Sequence, residues 1–303
     1  MKTVVIFGGS GFVGQHIIRR IVKKGYKIIV PYQHQVDEPK IRLLGTIGQV
    51  IPIRFFSIDD PIIKKQINKS EIIINLKTMW DVKKKTYEEG ILGFNRKLSD
   101  YIKKNNENCQ FIYFSGLGVN KDAGSKRSKS IFESENYFQQ NLKNIVIIRP
   151  GVIIGGGDNF LKNLLPLFKI SLFIPLFGKG NSKFQPVYID DVSKAVSEII
   201  SESLEGFHLF EFFGNKIFSY KEFYYLISLY LRKKRYFIPI PIVFVKLIVF
   251  FLEKISLSPL KMEQLKLFEK DNIAQNKGKN LQNLNIMAQD LDEILKNIIL
   301  KNN

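Results

Sequence analysis

The residues best suited to chemistry in this chain begin at position 8. Gly8-Gly9-Ser10-Gly11-Phe12-Val13-Gly14 follows a five-residue apolar run, Thr3–Phe7, and opens an amphipathic stretch, Phe12–Lys24. A strand, a glycine turn and a helix in that order suit a diphosphate. Gly8 makes the turn, Gly11 lets backbone approach the anion, and Gly14 permits close helix–strand packing. Ser10, Phe12 and Val13 belong to the same helix start, where amide groups and the helix dipole favour negative charge. The second apolar run ends Val30-Pro31-Tyr32-Gln33-His34, with no acid to bond a ribose 2′-hydroxyl or to repel a 2′-phosphate. This favours NADPH over NADH. Lys40 and Arg42 follow, either as a phosphate clamp or as a solvated basic turn. The three histidines are scattered and Cys109 is the single cysteine, so no metal site and no internal disulfide are expected.

The elements that must hold this loop are read from hydrophobic pattern. Apolar runs at Thr3–Phe7, Lys27–Val30, Val50–Phe55, Glu71–Leu76, Gln110–Ser115 and Ile145–Arg149 alternate with amphipathic stretches such as Tyr87–Lys104 and Arg127–Gln140. This predicts an α/β fold, a Rossmann doubly wound parallel sheet covered by helices on both faces. After Pro150 the rhythm fails. Residues 151–273 are expected to form a smaller C-terminal α/β lobe, some of whose elements return to the core of residues 1–150. Within it, Phe160–Phe177 is apolar with breaks at Pro166 and Pro175, Phe207–Phe213 reads as a strand and Tyr220–Leu231 as a helix. Residues 274–303 form a polar tail with a helix at Leu291–Lys301.

The formal charge is +18, carried by 37 lysines and nine arginines. Lysine-rich, arginine-poor composition argues against specific nucleic-acid recognition. It leaves compositional drift or attraction to an anionic surface. Phe237–Leu252 is nearly all apolar apart from Lys246, yet short for a bilayer span and interrupted by Pro239 and Pro241. It is either a helix packed into the small lobe or, with Arg232, Lys233, Lys234 and Arg235 beside it, a membrane-docking region spanning Arg232–Leu252. The N-terminus shows no targeting segment.

Several segments carry a resemblance. The glycine spacing, Ile74-Asn75-Leu76-Lys77, Ser115, Arg149-Pro150 and Gln185–Val192 resemble the extended short-chain dehydrogenase/reductases. Val30–Gln33, Leu44–Gln49, Gln185–Val196 and Phe237–Pro241 resemble atypical members that include the Rossmann-fold accessory subunit of respiratory complex I. The resemblance implies a nucleotide site made by Gly8, Ser10, Gly11, Phe12, Val13, Gly14, Tyr32, Gln33, Leu76, Lys77, Ser115, Lys129 and Pro150. It implies complex I subunits as partners and a peripheral position, on the inner face of a bacterial inner membrane or on the matrix side in an organelle. Working members of the superfamily use Ser, Tyr and Lys, with tyrosine as acid/base. Ser115 and Lys129 match the serine and lysine, but Ser125 stands in place of the tyrosine. A serine hydroxyl is shorter and far less acidic than a phenol, so no catalytic residue is assigned and binding without turnover is expected. Gln33 stands where the subunit family commonly has arginine, and Ile91 where the superfamily often has asparagine. A reductase, epimerase or dehydratase, and a soluble NADP-sensing regulator, remain the alternatives.

Overall fold

The computed structural model describes residues 1–80, 85–121, 124–254 and 261–301. Six strands come first: β1 (Thr3–Phe7), β2 (Lys27–Tyr32), β3 (Val50–Arg54), β4 (Ile72–Asn75), β5 (Gln110–Phe114) and β6 (Ile145–Pro150). Between them lie α1 (Phe12–Ile21), α2 (Glu38–Arg42), α3 (Pro61–Lys69), α4 (Phe94–Asn105) and α5 (Lys126–Asn141). Then follow β7 (Ile153–Ile154), α6 (Asn159–Ile170), β8 (Phe173–Phe177), β9 (Lys183–Phe184), β10 (Val187–Tyr188) and α7 (Ile189–Glu202). The chain continues through β11 (Phe207–Phe212), β12 (Phe218–Ser219), α8 (Tyr220–Tyr230), β13 (Tyr236–Ile240), α9 (Ile242–Lys254), α10 (Met262–Leu265) and α11 (Leu291–Lys301).

The chain divides into two units. The first comprises Met1–Pro150, Ile189–Glu211 and Asn276–Ile286. Its sheet has the order β11-β6-β5-β4-β1-β2-β3, and the pairings from β6 to β3 are parallel. Strand order reverses beside β1, the position at which open α/β sheets bind ligands beyond their strand C-termini. Both faces of the sheet are buried, which explains why its strands read as unbroken apolar runs. Odd-numbered residues such as Val5, Phe7, Ile29, Ile73, Phe111 and Tyr113 build one core with Leu98, Ile131 and Phe138. Against the other face α7 packs on α1, where Arg20 pairs with Asp190 and Lys24 with Glu198 at 3.2 Å. The Gln185–Val192 resemblance thus includes an acid that docks one helix on another.

The open edge, β3, is blunted. Gln49 O accepts from Ile28 N and Phe55 N donates to Tyr32 O, so odd residues of β3 face β2 and Pro52 faces outward. Pro52 has no N–H to offer another strand there.

The second unit comprises Gly151–Tyr188, Phe212–Gln275 and Met287–Asn303. Its core joins Leu161, Phe168, Phe184, Phe223 and Ile227 to Leu291, Leu295 and Ile299 of α11. The tail expected over 274–303 therefore divides. Leu281, Leu284 and Ile286 are buried and belong to the first unit, while the amphipathic α11 packs in the second. Pro166, expected to break its segment, lies inside a continuous α6. Pro166 and Lys162, four residues earlier, are both exposed, so water can satisfy the carbonyl that proline leaves without a donor. Pro175 lies within β8, which pairs in parallel with β13.

Candidate functional site

The parallel topology brings the ends of β1, β2, β4, β5 and β6 to one edge of the first unit. With them come Gly8, Tyr32, Gln33, Leu76, Lys77, Ser115 and Pro150. At β1 the chain turns with Gly8 at φ +79°, a left-handed conformation natural to glycine. A Cβ at Gly8 would also lie 3.0 Å from the Leu76 carbonyl carbon. At Gly14 a Cβ would meet Gly9 Cα at 2.5 Å and Gly8 O at 2.7 Å, so α1 sits directly on its own loop. Gly11 is different. A Cβ there would meet only Gly8 O, at 3.3 Å, and otherwise faces open space. Gly11 N donates to Gly8 O at 3.1 Å, which closes the turn. Helix α1 then starts at Phe12 and Val13 with no side-chain cap and no acid in its first turn. Its positive end is thereby left for an external anion. The Ser10 carbonyl accepts from Gln15 Nε2 at 2.7 Å, which fixes the loop against the helix.

Around this loop, Leu76 N donates to Phe7 O at 2.9 Å and Lys77 N to Asn75 Oδ1 at 3.0 Å. The Lys77 ammonium lies 4.0 Å from the centre of the Phe94 ring and 5.6 Å from that of Phe55. Burial, reinforced by the like charge of Lys85, lowers its pKa to about 8. On β2, Tyr32 is buried and its hydroxyl donates to Glu38 Oε2 at 2.5 Å. That bond to a carboxylate, then burial, raises the Tyr32 pKa against the opposing charges of Arg54 and Arg42. Gln33 is exposed.

The hydroxyl corner lies further along the same edge. Ser115 N donates to Ile148 O at 2.8 Å, while the Ser115 hydroxyl is buried with no hydrogen-bond partner in the structure. Leu117 N donates to the carbonyl of Pro150 at 2.9 Å. Ser125 is the N-cap of α5: its Oγ accepts from Ser128 N at 3.1 Å, and the residue is only 9% exposed. Lys129 follows one turn later. Its side chain is 68% exposed, with Nζ 3.9 Å from Glu133 Oε1. Ser115 thus follows the end of β5 with its hydroxyl buried, whereas Lys129 extends into solvent.

Three features of this edge were not read from sequence. Arg127 lies 3.6 Å above the Trp80 ring, and it donates to Met79 O at 3.0 Å and Thr78 Oγ1 at 2.8 Å. It ties the chain leaving β4 to the first turn of α5. Asn95, buried on α4, accepts from Asn75 Nδ2 at 2.8 Å and donates to Tyr113 Oη at 3.3 Å. Ile91, the position compared with the superfamily asparagine, is a core residue on a π-helical turn at Glu88–Gly93, and an asparagine stands one turn later instead. Arg54 ends β3 in register with Tyr32. An isolated Arg, Asn or Trp has no periodic signature, so only tertiary placement reveals these three.

The residues fit a dinucleotide. A turn that excludes side chains, an uncapped helix start and an orphaned hydroxyl lie along one edge. Residues 5–119 match the 3-beta hydroxysteroid dehydrogenase/isomerase family. The "NADH dehydrogenase [ubiquinone] 1 alpha subcomplex subunit 9, mitochondrial" of Arabidopsis thaliana is 30% identical over 193 residues, 63% of this chain and 48% of that protein. The Dictyostelium discoideum protein of the same name is 26% identical over 220 residues, 72% of this chain and 61% of its own length. Over the matched segments the chain is similar to these subunits and to that dehydrogenase family. The match spans about half the length of the Arabidopsis relative. Among solved structures, the fold resembles that of human epimerase family protein SDR39U1 with NADPH: TM-score 0.69, 16% identity, 98% of this chain and 99% of that one. It also resembles UDP-glucuronic acid 4-epimerase from Bacillus cereus in complex with UDP-glucuronic acid and NAD. There the TM-score is 0.74, with 14% identity over 99% of this chain and 100% of that one.

Proposed function

We propose that the chain is an NADPH-binding accessory subunit of respiratory complex I that holds its nucleotide without turning it over. The observation that carries this reading is Ser125. It occupies the proton donor's position in a chain that otherwise keeps the glycine cradle, and its hydroxyl is engaged in capping α5. In this reading the amides of the α1 start bind the diphosphate. Leu76 and Lys77 border the adenosine, and Ser115 offers its hydroxyl toward the nicotinamide end. A bound nicotinamide would supply hydride chemistry. The chain's own residues bind and orient, because no phenol stands one helical turn from Lys129. Similarity to the complex I subunits supports the choice of partner.

The second unit supplies the means of peripheral attachment. Helix α9 buries Val245 and Val249 against Leu265, while Val243, Phe244, Leu247, Ile248 and Phe251 are exposed. The exposed Arg232, Lys233 and Lys234 precede β13 in sequence. Among the described residues no helix is long and apolar enough to cross a membrane. An apolar helix face with flanking cations suits the interface of an anionic bilayer, on the side where the hydrophilic arm of the complex stands.

Affinity purification from native membranes, with mass spectrometry of the bound nucleotide and proteins, tests the assignment. NADPH and complex I subunits are the expected companions; a nucleotide-free monomer counts against it. Flotation with anionic vesicles should succeed in low salt and weaken in high salt. A second reading, a reductase or epimerase, draws on the free Ser115 hydroxyl. It requires steady NADPH oxidation that Lys129→Met abolishes.

A further inference from the structure

We propose that Arg54 is the residue by which this chain selects a 2′-phosphorylated dinucleotide. The inference rests on the nucleotide-binding reading above and assigns the group that separates NADPH from NADH at that site.

Two basic residues downstream of β2, Lys40 and Arg42, offered themselves in the sequence as a phosphate clamp. Arg42 is already engaged. Its Nε and Nη2 both donate to Glu38 Oε1, at 3.0 and 2.7 Å, and the second oxygen of Glu38 accepts from the Tyr32 hydroxyl at 2.5 Å. A phosphate that recruited Arg42 would have to share its guanidinium with this carboxylate. Lys40 is an exposed ammonium on the short α2, a mobile point charge without a geometric preference for phosphate.

Arg54 has neither handicap. It pairs in register with Tyr32 across β2 and β3, strands about 4.8 Å apart, so it stands beside the β2 end from which Gln33 extends. Tyr32 and Arg54 are both even-numbered and project to the same face of the sheet as α1. The guanidinium carbon lies 5.1 Å from the centre of the Phe56 ring, two residues on. Among the described residues no carboxylate pairs with Arg54, and the residue is exposed. An uncommitted guanidinium resting on an aromatic ring is ready for bidentate contact with a phosphate. Gln33 beside it contributes a neutral amide. The nearby carboxylate, Glu38, has its charge offset by Arg42 and its second oxygen occupied by Tyr32. The β2 end therefore lacks its own cation, and the neighbouring strand supplies one.

Matched calorimetric titrations of NADPH and NADH into the full chain test this, using wild type, Arg54→Gln, Arg42→Gln and the double variant Gln33→Arg/Arg54→Gln. Arg54→Gln should weaken NADPH at least tenfold and leave NADH within twofold. Arg42→Gln should change the ratio less than threefold, and Gln33→Arg should restore part of the preference lost in Arg54→Gln. Arg54 is exposed, and an unchanged thermal midpoint will show that its variant is folded. An equal loss of both nucleotides in Arg54→Gln, or a larger loss in Arg42→Gln, overturns the assignment. So does a wild-type chain that prefers NADH, which would leave dinucleotide binding standing. A wild type that binds neither nucleotide overturns the underlying reading along with the assignment.

Discussion

The glycine loop and the hydroxyl corner lie on the same sheet edge, and they differ in how far each is committed. At the loop the backbone conformation and close packing leave an empty cradle. Gly8 and Gly14 have no room for a side chain, and the helix start has no cap of its own. At the corner the parts are engaged elsewhere. Ser125 caps α5, Arg127 lies on Trp80, and Lys129 extends toward Glu133. Among the described residues there, the Ser115 hydroxyl alone is buried without a partner. Anion binding by backbone depends on conformation, which glycines secure. Acid–base catalysis depends on a particular side chain held at a particular angle, and one substitution removes it. A fold can therefore lose turnover and keep its nucleotide.

Breaking the loop should have the largest effect. Gly14→Val places a side chain where Gly9 Cα already sits at 2.5 Å, so nucleotide binding should fall more than about 100-fold, with a lower thermal midpoint. Retained affinity in a fluorescence titration would show that the cradle is not the binding element.

Lys77 sharpens the comparison through pH. Its pKa is lowered to about 8 by burial and by Lys85, against 10.5 for a free lysine side chain. Between those values the unfolded chain binds more protons than the folded one, so this residue makes stability rise with pH from about 8 to 10.5. Below pH 8 its charged form is carried at a cost. Lys77→Met should therefore raise stability at pH 7 by up to about 3 kcal/mol and flatten the rise above pH 8 relative to wild type. Melting curves across pH 7–10 compare the two. Saturating NADPH should raise the wild-type midpoint more than that of Lys77→Met.

Ser125→Tyr probes the corner directly. Loss of the cap should cost about 1 kcal/mol. Restored phenol alone should give no NADPH oxidation, because Lys129 stays in solvent. Measurable turnover would undo the contrast between the two regions. Ser115→Ala should have the smallest effect. Removing a buried, unpartnered hydroxyl should leave the unliganded protein as stable or slightly more so, within about 1 kcal/mol. Nucleotide affinity should fall severalfold if the hydroxyl serves a ligand.

Much of this edge was legible beforehand. Thr3–Phe7 appears as a strand with the expected ends, and the turn and helix follow it directly, because a strand and an adjoining helix are set by local pattern. Lys27–Tyr32 extends two residues past its expected end, into Pro31 and Tyr32, since pairing with β3 continues there. Ser125 is recognisable as a departure from the superfamily the chain resembles, but its capping role depends on where α5 begins. The packing of α9 on Leu265 identifies which side of that helix is buried, which its nearly uniform apolar sequence does not.

The sequence by itself determined the parallel α/β order, the glycine cradle and the absence of a phenol ahead of Lys129. Each of these follows from residue type and local spacing. The tertiary structure decided that Arg42 is occupied by Glu38 while Arg54 is available, that Asn95 joins Asn75 and Tyr113, and that Lys77 is half-buried against two aromatic rings. These depend on side chains from different strands and helices meeting at one sheet edge. Hydrogen bonds, desolvation and charge pairing act through distance in space, which spacing along the chain does not reveal.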